Sequence, residues 1–447
     1  MRTIAQSIGM VAGFWLILGG AALAQNPNRP LPPAPRSISL GEALALAKAQ
    51  NIDAILARER VQQAIERLGQ SISPLLPRVT GAASQSRQTR NLESLGISLS
   101  SEGPVVGPFN TFDARVSVTQ TIFDMTVIQR LRAAAAGKDQ SLAERRKTGQ
   151  DVLALIANLY IEADRAEDSV QFTKSVVARD RKGLSLEKRK LEIGTGSDLS
   201  VKRAEADLSE SRWALESARS AAVERRIDLA VALGLSPGQP IGFAKGKLFE
   251  DPALPTVAEI QASKETHPEV EAARELLRVR EAERWAELAE FLPKVSGFGD
   301  YGLSGETPSN SEVTYTVGAK VTLSLFEGGA TIFRANEAES RIRESQASID
   351  DLERRVEANV LISIESIRSA LTAVNAREAQ LVVSTKERSL ARQRFDSGIG
   401  SELDVLDAVA QESQARDQKR EAVALYWLAQ VQMLHSLGHM DRLGAAP

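Results

Sequence analysis

The 447-residue chain contains no cysteine. That excludes a disulfide framework, thiolate metal ligation and a lipid-modified N-terminal cysteine. Aromatic residues make up only 4% of it, low for a core built mainly as a β-sandwich or barrel, although the strand alternation below does not by itself exclude a sandwich. Three histidines are present, His267, His435 and His439, and they form no recognisable nucleophile triad or metal set. No Gly-rich phosphate loop follows a strand pattern, and GLSPGQPIG at 234–242 reads as a helix exit. The sequence therefore offers no catalytic residue, no metal site and no cofactor, and an enzyme is not expected. Net charge is −3 with both signs interspersed and no basic block, so nucleic acid is not an expected partner. Beyond the N-terminus no segment is apolar enough to span a bilayer as a helix.

What the N-terminus does contain is an export signal. Arg2, an apolar run from about Ile8, and Ala22-Leu23-Ala24 before Gln25 mark residues 1–24 as a secretory signal peptide. Residues 25–36, including NPNRPLPPAP, read as an extended proline-rich tether. The mature chain is expected outside the cytoplasm without a helical anchor.

The rest is duplicated. LLPRVTG at 75–81 matches FLPKVSG at 291–297, placing Pro77 on Pro293 and Gly81 on Gly297. TIFD at 121–124 falls on SLFE at 324–327, and EIGTGSDLSVKRAEADL at 192–208 on DSGIGSELDVLDAVAQE at 396–412. The offset drops from 216 to 203 between the proline and phenylalanine motifs, so the first copy carries 13 more residues there. Residues 37–255 form one repeat and 256–440 the other. Strands are expected at about 78–90 and 112–123, and at about 294–302 and 312–326. In the last of these Val313, Tyr315, Val317, Ala319, Val321, Leu323 and Leu325 alternate with small or polar residues, a sheet with one apolar face. The first copy is weaker: Val116, Val118 and Ile122 alternate, but Gln120 interrupts.

Long helices are expected at 124–193 and 198–233, and at 327–396 and 401–437. Ile156, Ala163, Val170, Val177, Leu184 and Leu191 recur every seven residues, as do Val360, Ile367, Val374 and Leu381. Leu208, Leu215, Ala222 and Leu229 continue the pattern, which predicts rods packed as coiled coils. Four strands cannot close a barrel, for which about 8 are needed. Three chains would supply about twelve, with the apolar face toward lipid and the polar face lining a lumen. Phe109, Phe112, Phe298, Tyr301 and Tyr315 cluster in the strand region, as membrane-interface aromatics would.

The signal peptide, the duplication, the two proline motifs and FDSGIGSELDVLDA at 395–408 together resemble the TolC-like outer membrane efflux proteins, over about residues 40–440. The resemblance implies a mixed α/β membrane protein: a homotrimer whose 12-stranded barrel in a Gram-negative outer membrane continues into a periplasmic α-helical barrel. It implies export from an inner-membrane pump, of RND or ABC type, through a periplasmic adaptor (membrane fusion protein). The resemblance places adaptor contacts at the turns of Gly194, Gly196, Gly398 and Gly400. It also points Asp404 and Asp407 into the narrowest part of the lumen, as two carboxylate rings. A capping box, Ser401 with Asp404, explains the first of these acids equally well. Family members often lock this tip with an arginine and a tyrosine bonded to an aspartate. Here Gly400, Phe395 and Ser200 occupy those places, so closure by packing is expected, with Phe395 at the gate. A periplasmic coiled-coil adaptor or spacer is the alternative function, although two equivalent hairpins with strand pairs argue against it.

Overall fold

The computed structural model describes residues 38–96, 104–238, 241–244 and 254–444. The expected signal peptide (1–24) and tether (25–36) lie outside them. The first repeat runs α1 (Leu40–Gln50), α2 (Ile52–Ile72), β1 (Arg78–Asn91), β2 (Val105–Phe123), α3 (Met125–Glu192) and α4 (Asp198–Ala232). The second runs α5 (Val257–Thr266), α6 (Pro268–Leu288), β3 (Lys294–Thr307), β4 (Asn310–Thr322), α7 (Ala330–Asp396) and α8 (Glu402–Ser436). The four strands form one antiparallel sheet in the order β1-β2-β3-β4. No helix among the described residues is long and apolar enough to cross a membrane.

Several bounds differ from the sequence pattern. β2 begins at Val105 rather than near 112, and β3 continues to Thr307, leaving only Pro308 and Ser309 before β4. These residues look like loop by composition, yet paired backbone groups carry them as strand. β4 stops at Thr322, short of 326, and Leu323 and Leu325 continue its alternation without a partner strand. Gly328 and Gly329, at φ 64° and 86°, then delay α7 to Ala330. In the first copy Asp124 makes a direct joint, its carboxylate accepting from the N–H groups of Thr126 and Val127 at the start of α3.

The sevenfold apolar positions pack as expected near the base of the hairpins, and less so toward their ends. Ile156, Ala163 and Val170 are buried, Val177 and Leu184 are half-buried, and Leu191 is exposed. α3 has 68 residues and α7 has 67, so each is roughly 100 Å long at about 1.5 Å per residue. α4 and α8, 35 residues each, return along them. On α8 the buried stripe is mostly alanine: Ala408, Ala415, Ala422 and Ala429 are seven apart, followed by Ser436. Small side chains there bring α7 and α8 close together.

The largest core lies where α1, α3, α4 and the end of α8 meet, around Ile156, Ala157, Tyr160, Leu229, Val431 and Met440. Ile38 pairs in parallel with Phe243, tying the chain start to the segment between the repeats. Tyr160 fixes that pair: its hydroxyl donates to the Ile38 carbonyl at 2.9 Å and its ring meets Phe243 edge-on at 5.2 Å. Burial pushes the phenol pKa up to about 12, so it remains a donor at any physiological pH. Tyr160→Phe keeps the ring contact and leaves the Ile38 carbonyl only the Ala244 N–H, at 3.1 Å. A loss of about 1 kcal/mol is expected in the unfolding free energy, measured in detergent.

Candidate functional site

The sheet sorts its side chains by register. Gly81, Val116, Tyr301 and Tyr315 are directly paired across the four strands, as are Val79, Val118, Gly299 and Val317, and Ala83, Ala114, Leu303 and Val313. These rows share one face, and it is bare: Val317 is 80% and Tyr315 74% exposed. Gln120, which breaks the apolar alternation of β2, lies in this same register. Its amide nitrogen donates to the Leu75 carbonyl at 2.6 Å, pinning the turn that enters β1.

The opposite face is polar. Its rows contain Ala82, Arg115, Gly302 and Thr314, then Ser84, Asp113, Ser304 and Glu312, then Thr80, Ser117, Asp300 and Thr316. Arg115 is its hub, donating to Asp113 at 2.6 Å and to Asp300 at 2.8 Å. Gly302 leaves it room, since a Cβ there would lie 2.4 Å from the Cβ of Arg115. This cluster was not picked out from the sequence. The signal is an arginine between two carboxylates in strand alternation, with Asp300 185 residues away.

Register also divides the five aromatics expected at a membrane interface. Phe112, Tyr301 and Tyr315 lie on the apolar face. Phe109 and Phe298 do not: each falls in a polar-face row, opposite Gln88 and Thr119 respectively. Nearness along the chain groups the five, whereas strand period separates them. Phe298 covers Gly318, where a Cβ would come within 2.7 Å of the ring.

At the far ends of the hairpins each glycine pair has two distinct jobs. Gly194 and Gly398 take φ of 78° and 75°, the left-handed turn that ends α3 and α7. Gly196 and Gly400 instead allow close approach. A Cβ at Gly196 would lie 2.8 Å from the Leu191 nitrogen, and one at Gly400 3.1 Å from the Phe395 nitrogen. Backbone N–H groups of Thr195 and Gly196 donate to the Lys190 carbonyl, and those of Ile399 and Gly400 to the Arg394 carbonyl.

The two returning helices start differently. Ser401 accepts from the Asp404 N–H at 3.1 Å, while the Asp404 carboxylate accepts from the Ser401 N–H at 2.9 Å. The backbone and hydroxyl of Ser401 hold the Asp404 carboxyl below the usual aspartate range, so it is ionised at neutral pH. In the first copy Ser200 stands in its place, and the serine hydroxyl turns back to the Ser197 carbonyl at 2.8 Å. Asp407 is exposed one turn beyond Asp404. Phe395 is at the edge of exposure, with the Arg392 guanidinium 5.8 Å from its ring centre. Lys202 pairs with Glu205 at 3.1 Å, which also meets Lys188 at 3.5 Å, so these charges tie the first hairpin to itself.

The two hairpins are joined higher up, between α3 and α8. Arg165 donates to both oxygens of Asp417, at 2.8 and 3.0 Å, with both side chains largely covered. Arg420 pairs with Asp168 alongside. Toward the tips from there, no ion pair joins the hairpins among the described residues. Glu412, buried on α8, takes Arg388 and Arg416 at 2.8 Å each and so binds α8 to α7.

The chain matches the family model described as outer membrane efflux protein over residues 43–235 and 260–439. It is 25% identical to the protein CyaE of Bordetella pertussis, over 99% of this chain and 96% of that one. It is 21% identical to the outer membrane protein TolC of Salmonella enteritidis, over 90% of this chain and 85% of that protein. Among solved structures, the CmeC outer membrane channel of Campylobacter jejuni superposes with a TM-score of 0.79 at 18% identity, covering 90% of this chain and 85% of that one. The superposition on CmeC extends over nearly all of the sheet and the two helical hairpins of this chain. The chain belongs to the outer membrane efflux protein family and is an outer membrane channel with a periplasmic helical extension.

Proposed function

We propose that three copies of this chain assemble into one export duct. The observation that carries this reading is the sheet: one continuous apolar face, bare in the single chain, between two strands, β1 and β4, whose outer edges have no partner strand among the described residues. Joining β4 of one copy to β1 of the next closes twelve strands and leaves no edge. The apolar rows then face outer-membrane lipid, with Phe112, Tyr301 and Tyr315 among them, and the Arg115–Asp113–Asp300 cluster faces the lumen. The hairpins of the three copies continue the wall as a helical barrel. The duct is passive and catalyses nothing itself, and the inner-membrane pump, of RND or ABC type, supplies the cargo and the energy.

The tips receive the periplasmic adaptor at the turns of Gly194, Gly196, Gly398 and Gly400. Asp404 and Asp407 face the lumen there as two rings of three carboxylates, beside Phe395. Asp404 holds its capping bond and its charge at once, because capping occupies one carboxylate oxygen and keeps the group ionised. Rings of fixed negative charge in a narrow opening attract cations. Family-style locking at the tip is replaced by the Arg165–Asp417 and Arg420–Asp168 pairs, which hold the two hairpins of one copy together.

The absence of native cysteine makes assembly directly testable. Ala83→Cys on β1, combined with single cysteines stepped along Val313, Val317 and Val321 of β4, is expected to give cross-linked dimers and trimers on oxidation. Nothing larger should form, and a chain that stays monomeric in every combination overturns the trimer. For the tip, planar-bilayer recording of Asp404→Asn with Asp407→Asn is expected to lower the cation-to-anion permeability ratio several-fold. An unchanged ratio removes the carboxylate rings from the account.

A further inference from the structure

The three histidines, scattered at 267, 435 and 439 in sequence, come together where α5, α6 and the end of α8 meet. His267 is the N-cap of α6. Its Nδ1 accepts the backbone N–H of Glu269 at 3.3 Å, and its own N–H donates to the Ser263 carbonyl at 3.0 Å, which closes α5. The ring is buried. Gly438, at φ 72°, turns the chain directly over it: a Cβ there would lie 2.9 Å from Pro268 and 3.4 Å from the His267 ring. Across from it His435 Nε2 meets Asp151 of α3 at 2.8 Å.

An imidazole can act as an N-cap acceptor only while the capping nitrogen is unprotonated. Asparagine, serine or aspartate would cap a helix at any pH near neutrality, so histidine makes this cap conditional. We propose that His267 is an acid-released staple, holding α6 against α8 and α3 when neutral and loosening that junction when protonated. Protonation turns the acceptor into a donor aimed at the Glu269 N–H. It also sets a positive charge on the positive end of α6.

The groups around the ring support this direction. From α3 come Asp151 and Lys147, from α6 Glu269, and from α8 His435. The two carboxylates favour a charged ring, but each already has another partner: Asp151 has the His435 ring at 2.8 Å, and Glu269 has Lys147 at 2.9 Å. The neighbouring His435 imidazole opposes a positive charge on His267. Burial is the largest influence and lowers the pKa of His267 from its ordinary value. The unfolded chain therefore takes up this proton first. Stability from the neutral ring is complete above about pH 6.5 and is lost as pH falls through that value toward the folded pKa. The His435–Asp151 bond also ties α8 to α3 beside this ring, so the two histidines have to be separated by mutation.

The test uses the full-length protein in detergent at pH 7.5 and pH 5.5. Wild type is expected to lose thermal midpoint on acidification. His267→Asn retains a capping oxygen that does not titrate, and should lose less than half as much. His435→Gln removes the second imidazole but keeps the staple, and should still lose midpoint at pH 5.5. Hydrogen exchange in wild type reads the same event locally: protection of the Glu269 amide, corrected for intrinsic exchange, should fall at least threefold at pH 5.5. An acid shift as large in His267→Asn as in wild type, or an unchanged Glu269 protection factor, overturns the proposal.

Discussion

A four-stranded sheet has two open edges, and hydrogen-bonding groups along an open edge seek a partner. In this chain the edges belong to β1 and β4, and one face between them is paved with valine, leucine and tyrosine that nothing among the described residues covers. Water tolerates neither feature well, whereas a bilayer accepts the apolar face provided that every backbone group is paired. The remaining architecture follows from that incompleteness. Helical hairpins of this length would be surplus in a globular enzyme, but in the proposed assembly they extend a wall that starts as strands.

The duplication makes the two helical hairpins nearly equal in length but not in detail, and the differences fall at the ends of elements. α3 is capped at once by Asp124, whereas α7 waits for two left-handed glycines. α8 starts with a reciprocal capping box, whereas α4 has a serine where the acid would be. Such end effects are each worth about 1 kcal/mol and leave the fold alone. They change what is presented at the joint or the tip. Only the second hairpin carries acids at its tip in this position.

Charge plays different parts along the rods. Most ion pairs are exposed and lie within one helix or one hairpin, where each contributes little. Arg165–Asp417 is largely covered and bidentate, and it crosses from one repeat to the other. Removing one partner would strand a half-buried charge, so this pair matters more than its neighbours. It also sets a boundary, since the hairpin ends beyond it rely on packing that thins toward the tips. The histidine junction lies on the other side of that boundary, close to the large core.

Much of this was legible in the sequence because it rests on short-range periodicity. The alternation in β4, the sevenfold spacing in α3 and α7 and the glycine pairs all reflect local geometry, and each repeat vouches for the other. β1 was fainter, because small residues such as Gly81 and Ala83 fill its apolar positions. The bounds of β2 and β4 were set by whether a partner strand was present, which composition does not record. The face occupied by Phe298, the Arg115–Asp300 bond across 185 residues and the Arg165–Asp417 tie across 252 were decided by the tertiary structure alone. Each depends on register or on the meeting of distant helices, and a one-residue slip in pairing would move every such side chain to the other side. The gathering of the histidines belongs to the same class. Period dictates which face a residue occupies on its own element, and only packing dictates what that face meets.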